Sequence, residues 1–116
     1  MKSTSTNIKR MYIRRINVLQ HAKAIIRGLI PDAEIILYGS RARGNATPDS
    51  DWDLLVLTNQ KITPELEEKL WDALYIITVE RGEVISAVVK NRLEWSTPFV
   101  KASPYHQEID QDGVWL

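Results

Sequence analysis

The chain has 116 residues, 44% of them apolar, with 15 Lys or Arg against 15 Asp or Glu and no cysteine. That is the size of one small domain with enough apolar side chains for a core, and the missing cysteines exclude disulfides, cysteine–zinc sites and a cysteine nucleophile. No apolar stretch approaches the roughly 20 residues that cross a bilayer and the N-terminus does not read as a secretory signal, so a soluble, cytoplasmic protein is expected. The zero net charge hides a division: residues 1–44 sum to +7 and residues 45–116 to −7.

In chain order, Asn7 is placed to cap a helix running to about Leu29. Ile8, Tyr12, Ile16, Leu19, Ile26 and Leu29 form its apolar stripe, and Gly28 and Pro31 end it. Glu34 to Tyr38 reads as a strand leading into a Gly39 Ser40 turn, with a short helix expected over residues 40–45. A polar turn from Gly44 to Ser50 then precedes a second strand from Trp52 to Leu57.

Thr63 as N-cap, Pro64 at the first helical position and Glu65 in the first turn open a helix to about Arg81. Leu66, Leu70, Leu74 and Ile77 mark its buried face, and Gly82 stops it. Glu83 to Val89 is a continuous apolar run that predicts a strand covered on both faces. Asn91 to Trp95 suits a short helix, Pro98 and Pro104 break the tail, and Gly113 to Leu116 suits a last strand. The order predicts an α/β fold, one domain over residues 1–116, with helices packed on a small mixed β-sheet.

Chemistry concentrates between Gly39 and Val56. Side chains alternate along a strand, so Asp51 and Asp53 share one face about 7 Å apart. Two carboxylates about 5 Å apart at an effective dielectric of about 20 repel by roughly 3 kcal/mol. A divalent cation reverses that sign, and hard oxygen ligands suit Mg²⁺ or Mn²⁺ completed by water and phosphate. Gly39 lets the backbone approach a phosphate closely, and Ser40 adds a hydroxyl beside exposed amides. Of Arg41 and Arg43, which can add charge-assisted phosphate contacts, Arg43 is the preferred candidate.

The wording Gly39 Ser40, ten residues from Arg41 to Ser50, then Asp51 Trp52 Asp53 resembles the signature of nucleotidyltransferases with a polymerase-beta-like core. The small size and the run Gly39 Ser40 Arg41 Ala42 Arg43 Gly44 are similar to the minimal nucleotidyltransferases. The resemblance implies a Mg²⁺-dependent enzyme that binds a nucleoside triphosphate, ATP in the first instance, at Gly39, Ser40 and Arg43. Asp51 and Asp53 would be both catalytic residues and metal ligands. It further implies transfer of AMP to an acceptor hydroxyl, on a separate helical partner of the HEPN type for which the chain acts as antitoxin.

Active members usually carry a third carboxylate on the strand after the long helix. In that run Ser86 is the only polar residue and Glu83 stands at the edge on the opposite alternation, so Glu83, Ser86 or a partner is left to fill the place. A catalytically weak or inactive nucleotide-binding protein that acts by contact with a helical partner is therefore the alternative.

The other conspicuous residues read as structural. His21 and His106 lack partners at metal-ligand spacing. Trp71 and Tyr75 read as packing residues rather than nucleobase platforms, Trp52 as packing the sheet face away from the aspartates, and Trp95 and Trp115 as tail anchors. The basic residues Lys9, Arg10, Arg14, Arg15, Lys23 and Arg27 read as a solvated helix face, with a docking surface for nucleic acid or an acidic partner as the alternative, and no basic motif interleaved with aromatics supports sequence-specific DNA binding.

Overall fold

The structure, a computed structural model, describes residues 18–116. Asn7 and the apolar and basic positions before residue 18 lie outside the described residues. The predicted first helix is described as α1 over residues 18–29. The elements that follow are β1 (Glu34–Tyr38), α2 (Ser40–Arg43), β2 (Trp52–Thr58), α3 (Pro64–Arg81), β3 (Ile85–Asn91), α4 (Arg92–Trp95), α5 (Pro98–Lys101), α6 (Pro104–Asp112) and β4 (Val114–Trp115).

The four strands form one mixed sheet in the order β3-β2-β1-β4, the α/β architecture expected. β1 runs antiparallel to β2 and β4, while β2 and β3 are parallel. A parallel pair needs a long crossover, and α3 supplies it. Strand alternation assigns each side chain to a layer. Trp52, Leu54 and Val56 of β2, with Ile35 and Leu37 of β1 and Ala87 and Val89 of β3, are buried beneath Val18, Ala22 and Ile26 of α1 and Leu70, Leu74 and Ile77 of α3. On the opposite face Ile36, Leu55 and Leu57 are buried with Trp95 and Ile109. Trp52 thus faces away from the aspartates as expected. Each fully buried Leu or Ile contributes roughly 1.5–3 kcal/mol over its exposed state, so the two layers together hold β2 at the centre.

The long helix has the limits read from its ends. The Thr63 hydroxyl accepts from the Leu66 N–H at 3.1 Å, Pro64 is the first helical residue, and Gly82 at φ 69° closes the helix with its N–H on the Thr78 carbonyl.

Three expectations are corrected. β3 begins two residues later than predicted, and its two faces are covered unequally: Ala87 and Val89 are buried on one, while on the other Val88 is only partly buried against the second layer. Trp71 and Tyr75 are 50% and 63% exposed instead of packed, and Trp115 on β4 is 62% exposed, whereas Trp95 is buried. The tail after Pro98 is helical rather than broken. Thr97 with Pro98, and Ser103 with Pro104, stand at the N-cap and first position of α5 and α6, where the missing proline N–H costs nothing. Among the described residues no helix is long and apolar enough to cross a membrane.

Candidate functional site

β1 ends at Tyr38 and β2 begins at Trp52, and the antiparallel register sets Tyr38 beside Asp53. On the other side the parallel register sets Ser86 beside Asp53. Tyr38, Asp53 and Ser86 therefore form one row across the sheet, on the face that α4 to α6 cover. Asp51 lies one residue before β2, exposed at the mouth of the row.

Gly39 turns the chain out of this row. Its φ of 73° is a left-handed conformation that favours glycine. A Cβ there would also run into the Asp53 carboxylate. The backbone of the turn and the Asp53 carboxylate are thus in contact because no side chain separates them. The turn continues as α2, where the Ala42 and Arg43 amides both bond the Gly39 carbonyl at 3.1 Å. A helix leaves its first amides without helical acceptors, which here are those that follow Gly39, next to the Ser40 hydroxyl.

The two arginines of α2 separate. Arg41 is 6% exposed and lies 4.2 Å over the Trp52 ring. It donates to the Ser50 carbonyl at 3.0 Å and the Pro48 carbonyl at 3.4 Å, and it pairs with Glu83 at 3.5 Å. It braces the loop between α2 and β2. Arg43 instead reaches α6, with Nη1 3.3 Å from Glu108 Oε1 and 3.8 Å from Asp112 Oδ2. These partners on α6 place it on the Asp53 side of β2.

Glu83 does not stand with the aspartates. Its carboxylate accepts from the Trp52 indole N–H at 2.9 Å and faces Arg41, on the sheet face opposite Asp53. Ser86, not Glu83, is Asp53's register neighbour on β3.

Asp53 is half-buried, and burial pushes its carboxyl above the ordinary value of 3.8; the charges of Asp51 and Glu108 push the same way, with Arg43 opposing. This is the electrostatic state of a carboxylate that a cation would relieve. Two carboxylates and an open mouth suit a hard ion that keeps water and phosphate oxygens as further ligands. Among the described residues no group of three or more His, Cys, Asp or Glu is arranged to hold a metal ion, so Asp51 and Asp53 would supply the protein's share.

Tyr38, Tyr105, Glu108 and Asp112 went unmarked in the sequence. The Tyr105 hydroxyl donates to the Tyr38 hydroxyl at 3.0 Å, and the two rings meet edge to face at 5.7 Å. Burial raises both phenol pKa values, that of Tyr105 most. Residues 105, 108 and 112 share one face of α6 by helical spacing, and that face walls the site. Signals for them existed only in the helix start at Ser103 and Pro104. His106, by contrast, is buried, stacks on Trp95 at 4.3 Å and lies 3.0 Å from Asp110, a packing role.

A family model described as a nucleotidyltransferase domain matches residues 19–112. Solved structures of similar fold include a toxin–antitoxin with AMP-PNP, at TM-score 0.58 and 18% identity, over 83% of this chain and 69% of that one. Two others are mutants of the toxin–antitoxin MntA-HpeT. A double aspartate-to-glutamate mutant has TM-score 0.54 and 17% identity, covering 79% of this chain and 66% of that one. A tyrosine-to-alanine mutant has TM-score 0.53 and 21% identity, covering 80% and 66%. The chain spans about two thirds of the length of these structures, and at such identities the likeness is one of fold. No curated protein matches the chain in sequence.

Proposed function

The chain belongs to the nucleotidyltransferase domain family, and from that premise we propose that residues 1–116 act as one domain that transfers AMP from ATP to an acceptor hydroxyl. The observation that carries this reading is the contact between the Gly39 turn and the Asp53 carboxylate. It sets a phosphate-accepting backbone against a cation-accepting side chain, as a metal-bound triphosphate requires.

In this reading Gly39 and Ser40 hold phosphate oxygens through backbone amides and a hydroxyl, and Arg43 turns from Glu108 and Asp112 toward the phosphates. Asp51 and Asp53 would hold Mg²⁺ or Mn²⁺, which when bound neutralises phosphate charge and orients the in-line displacement. The acceptor oxygen bonds to the α-phosphorus and pyrophosphate leaves. Catalysis then rests on positioning and charge, with no covalent enzyme intermediate. The similar toxin–antitoxin folds, one of them with AMP-PNP, support ATP as donor and a separate toxin as partner. A helical HEPN-type protein is proposed for that role, with this chain as its cytoplasmic antitoxin.

A second reading has its own observation. Ser86 stands where the resemblance implies a third carboxylate, which favours a nucleotide-binding protein that restrains its partner by contact. Incubation with labelled ATP, Mg²⁺ and the helical partner separates the two. Transfer predicts pyrophosphate release and a labelled partner, both lost in Asp53→Asn. Equal restraint of the partner by wild type and Asp53→Asn, with no label moved, would leave the contact reading standing.

A further inference from the structure

β3 ends the sheet order, so among the described residues no strand pairs with its outer side. Backbone groups of a strand point alternately to its two sides. The Trp52 N–H donates to the Val84 carbonyl at 2.8 Å, which directs the even-numbered residues to β2 and the N–H and C=O groups of Ile85, Ala87 and Val89 outward. The Trp71 indole N–H takes the Ala87 carbonyl at 3.0 Å. The remaining outward groups are a template for an added strand.

A groove of about 520 Å³ runs along this edge between α3 and β3, lined by Trp71, Tyr75, Thr78, Val84 and the chain from Ile85 to Val88. Trp71 is 50%, Tyr75 63%, Val79 69% and Val84 45% exposed. Residues 71, 75 and 79 follow one another at four-residue spacing, so α3 carries a second apolar stripe beside the one it buries. Solvent alone gives no reason for such a stripe. The groove reaches Ser86, the register partner of Asp53.

Charge selects the occupant. Along α3 the acids Glu65, Glu67, Glu68, Asp72 and Glu80 stand against only Lys69 and Arg81. A nucleic acid backbone would be repelled, whereas a basic polypeptide would be attracted. An extended segment satisfies the outward amides and carbonyls, and its alternate side chains meet Tyr75 and Val84.

We propose that the β3 groove receives an extended, basic segment of the acceptor protein, which joins the sheet as an added strand and carries its hydroxyl side chain to the Asp53 end. This rests on the nucleotidyl-transfer reading above. The probe is a nine-residue peptide of alternating Lys and Val with a central Tyr, followed by amide hydrogen exchange. The Lys peptide should slow exchange at Ile85 and Val89 by about tenfold, and the same peptide with Glu for Lys should not. Tyr75→Lys, at an exposed position, should remove the protection by repelling the peptide's lysines while leaving Mg²⁺–AMP-PNP binding unchanged.

Absence of protection by the Lys peptide overturns the proposal. So does protection already present in the free protein together with a dimer mass by light scattering, which would place a second copy in the groove. Protection by the peptide in a protein that fails to bind Mg²⁺–AMP-PNP would uphold the groove and overturn the transfer reading instead.

Discussion

Arg41 and Arg43 stand two residues apart on one helical turn, yet they serve opposite sides of β2. Arg41 is enclosed by Trp52, Glu83 and the carbonyls of the loop that follows α2. Arg43 stays half-exposed among Glu108, Asp112 and the field of Asp53. The first side is closed, and holds the loop that delivers Asp51 and Asp53. The second carries surplus negative charge and a cation with only weak partners, the condition of a site awaiting a ligand. Position on the strand decides the difference: Trp52 faces one layer and Asp53 the other.

The largest expected effect tests the open side. Asp53→Asn should lower label transfer by about 10³-fold or more, equivalent to roughly 4 kcal/mol of transition-state stabilisation, without loss of fold in circular dichroism. Next comes the closed side. Arg41→Ala removes the guanidinium that bonds the Ser50 carbonyl and lies over the Trp52 ring, and should cost about 2 kcal/mol in urea unfolding. Gly39→Ala joins the two sides, since it strains the left-handed turn and displaces the Asp53 carboxylate. It should cost about 2 kcal/mol and weaken Mn²⁺ binding followed by electron paramagnetic resonance.

Arg43→Ala should cost under about 1 kcal/mol, as exposed ion pairs do, while lowering Mg²⁺–AMP-PNP affinity about tenfold by calorimetry. If Arg41→Ala and Arg43→Ala instead exchange these outcomes, the division between the sides is wrong.

The smallest effect is in pH. Asp53's folded carboxyl is raised above 3.8, chiefly by burial, so the folded state binds its proton more tightly. Its contribution to stability is fully present below 3.8 and is lost as pH rises through the raised value. Asp32 behaves oppositely. The hydrogen bond from the Thr58 hydroxyl and then that from the Asn59 N–H lower its carboxyl, so its contribution is present above 3.8 and is lost as pH falls through the lowered value. At neutral pH Asp53→Asn should therefore melt higher than wild type and Asp32→Asn lower, with both differences fading in acid.

What the sequence revealed was local. Thr63, Pro64 and Gly82 define α3 because caps act within one turn. Thr97 with Pro98 and Ser103 with Pro104 carry the same N-terminal signal, but the helices they open are four and nine residues long, too short for periodicity to outweigh the proline. Trp71 and Tyr75 show why spacing cannot report burial. A second apolar stripe reads alike whether the fold covers it or leaves it open, and here it is open.

The same limit holds at the site. Gly39, Ser40, Asp51 and Asp53 lie within one hairpin-like stretch and were legible together. Tyr38 meets Tyr105 across 67 residues and Arg43 meets Glu108 across 65, pairings that depend on where α6 docks. The choice between Glu83 and Ser86 turned on the face of one strand: Glu83 is drawn to Trp52 and Arg41, and the parallel register gives Ser86 to Asp53.

If the Gly39 turn and the Asp51–Asp53 pair form one site for a metal-bound triphosphate, a crystal structure with Mn²⁺ and AMP-PNP should show both halves filled together. Anomalous manganese density is expected at the Asp51 and Asp53 carboxylates, with phosphate oxygens on the amides after Gly39 and Arg43 turned away from Glu108. Manganese bound elsewhere, or triphosphate held away from the Gly39 turn, would rule the shared site out.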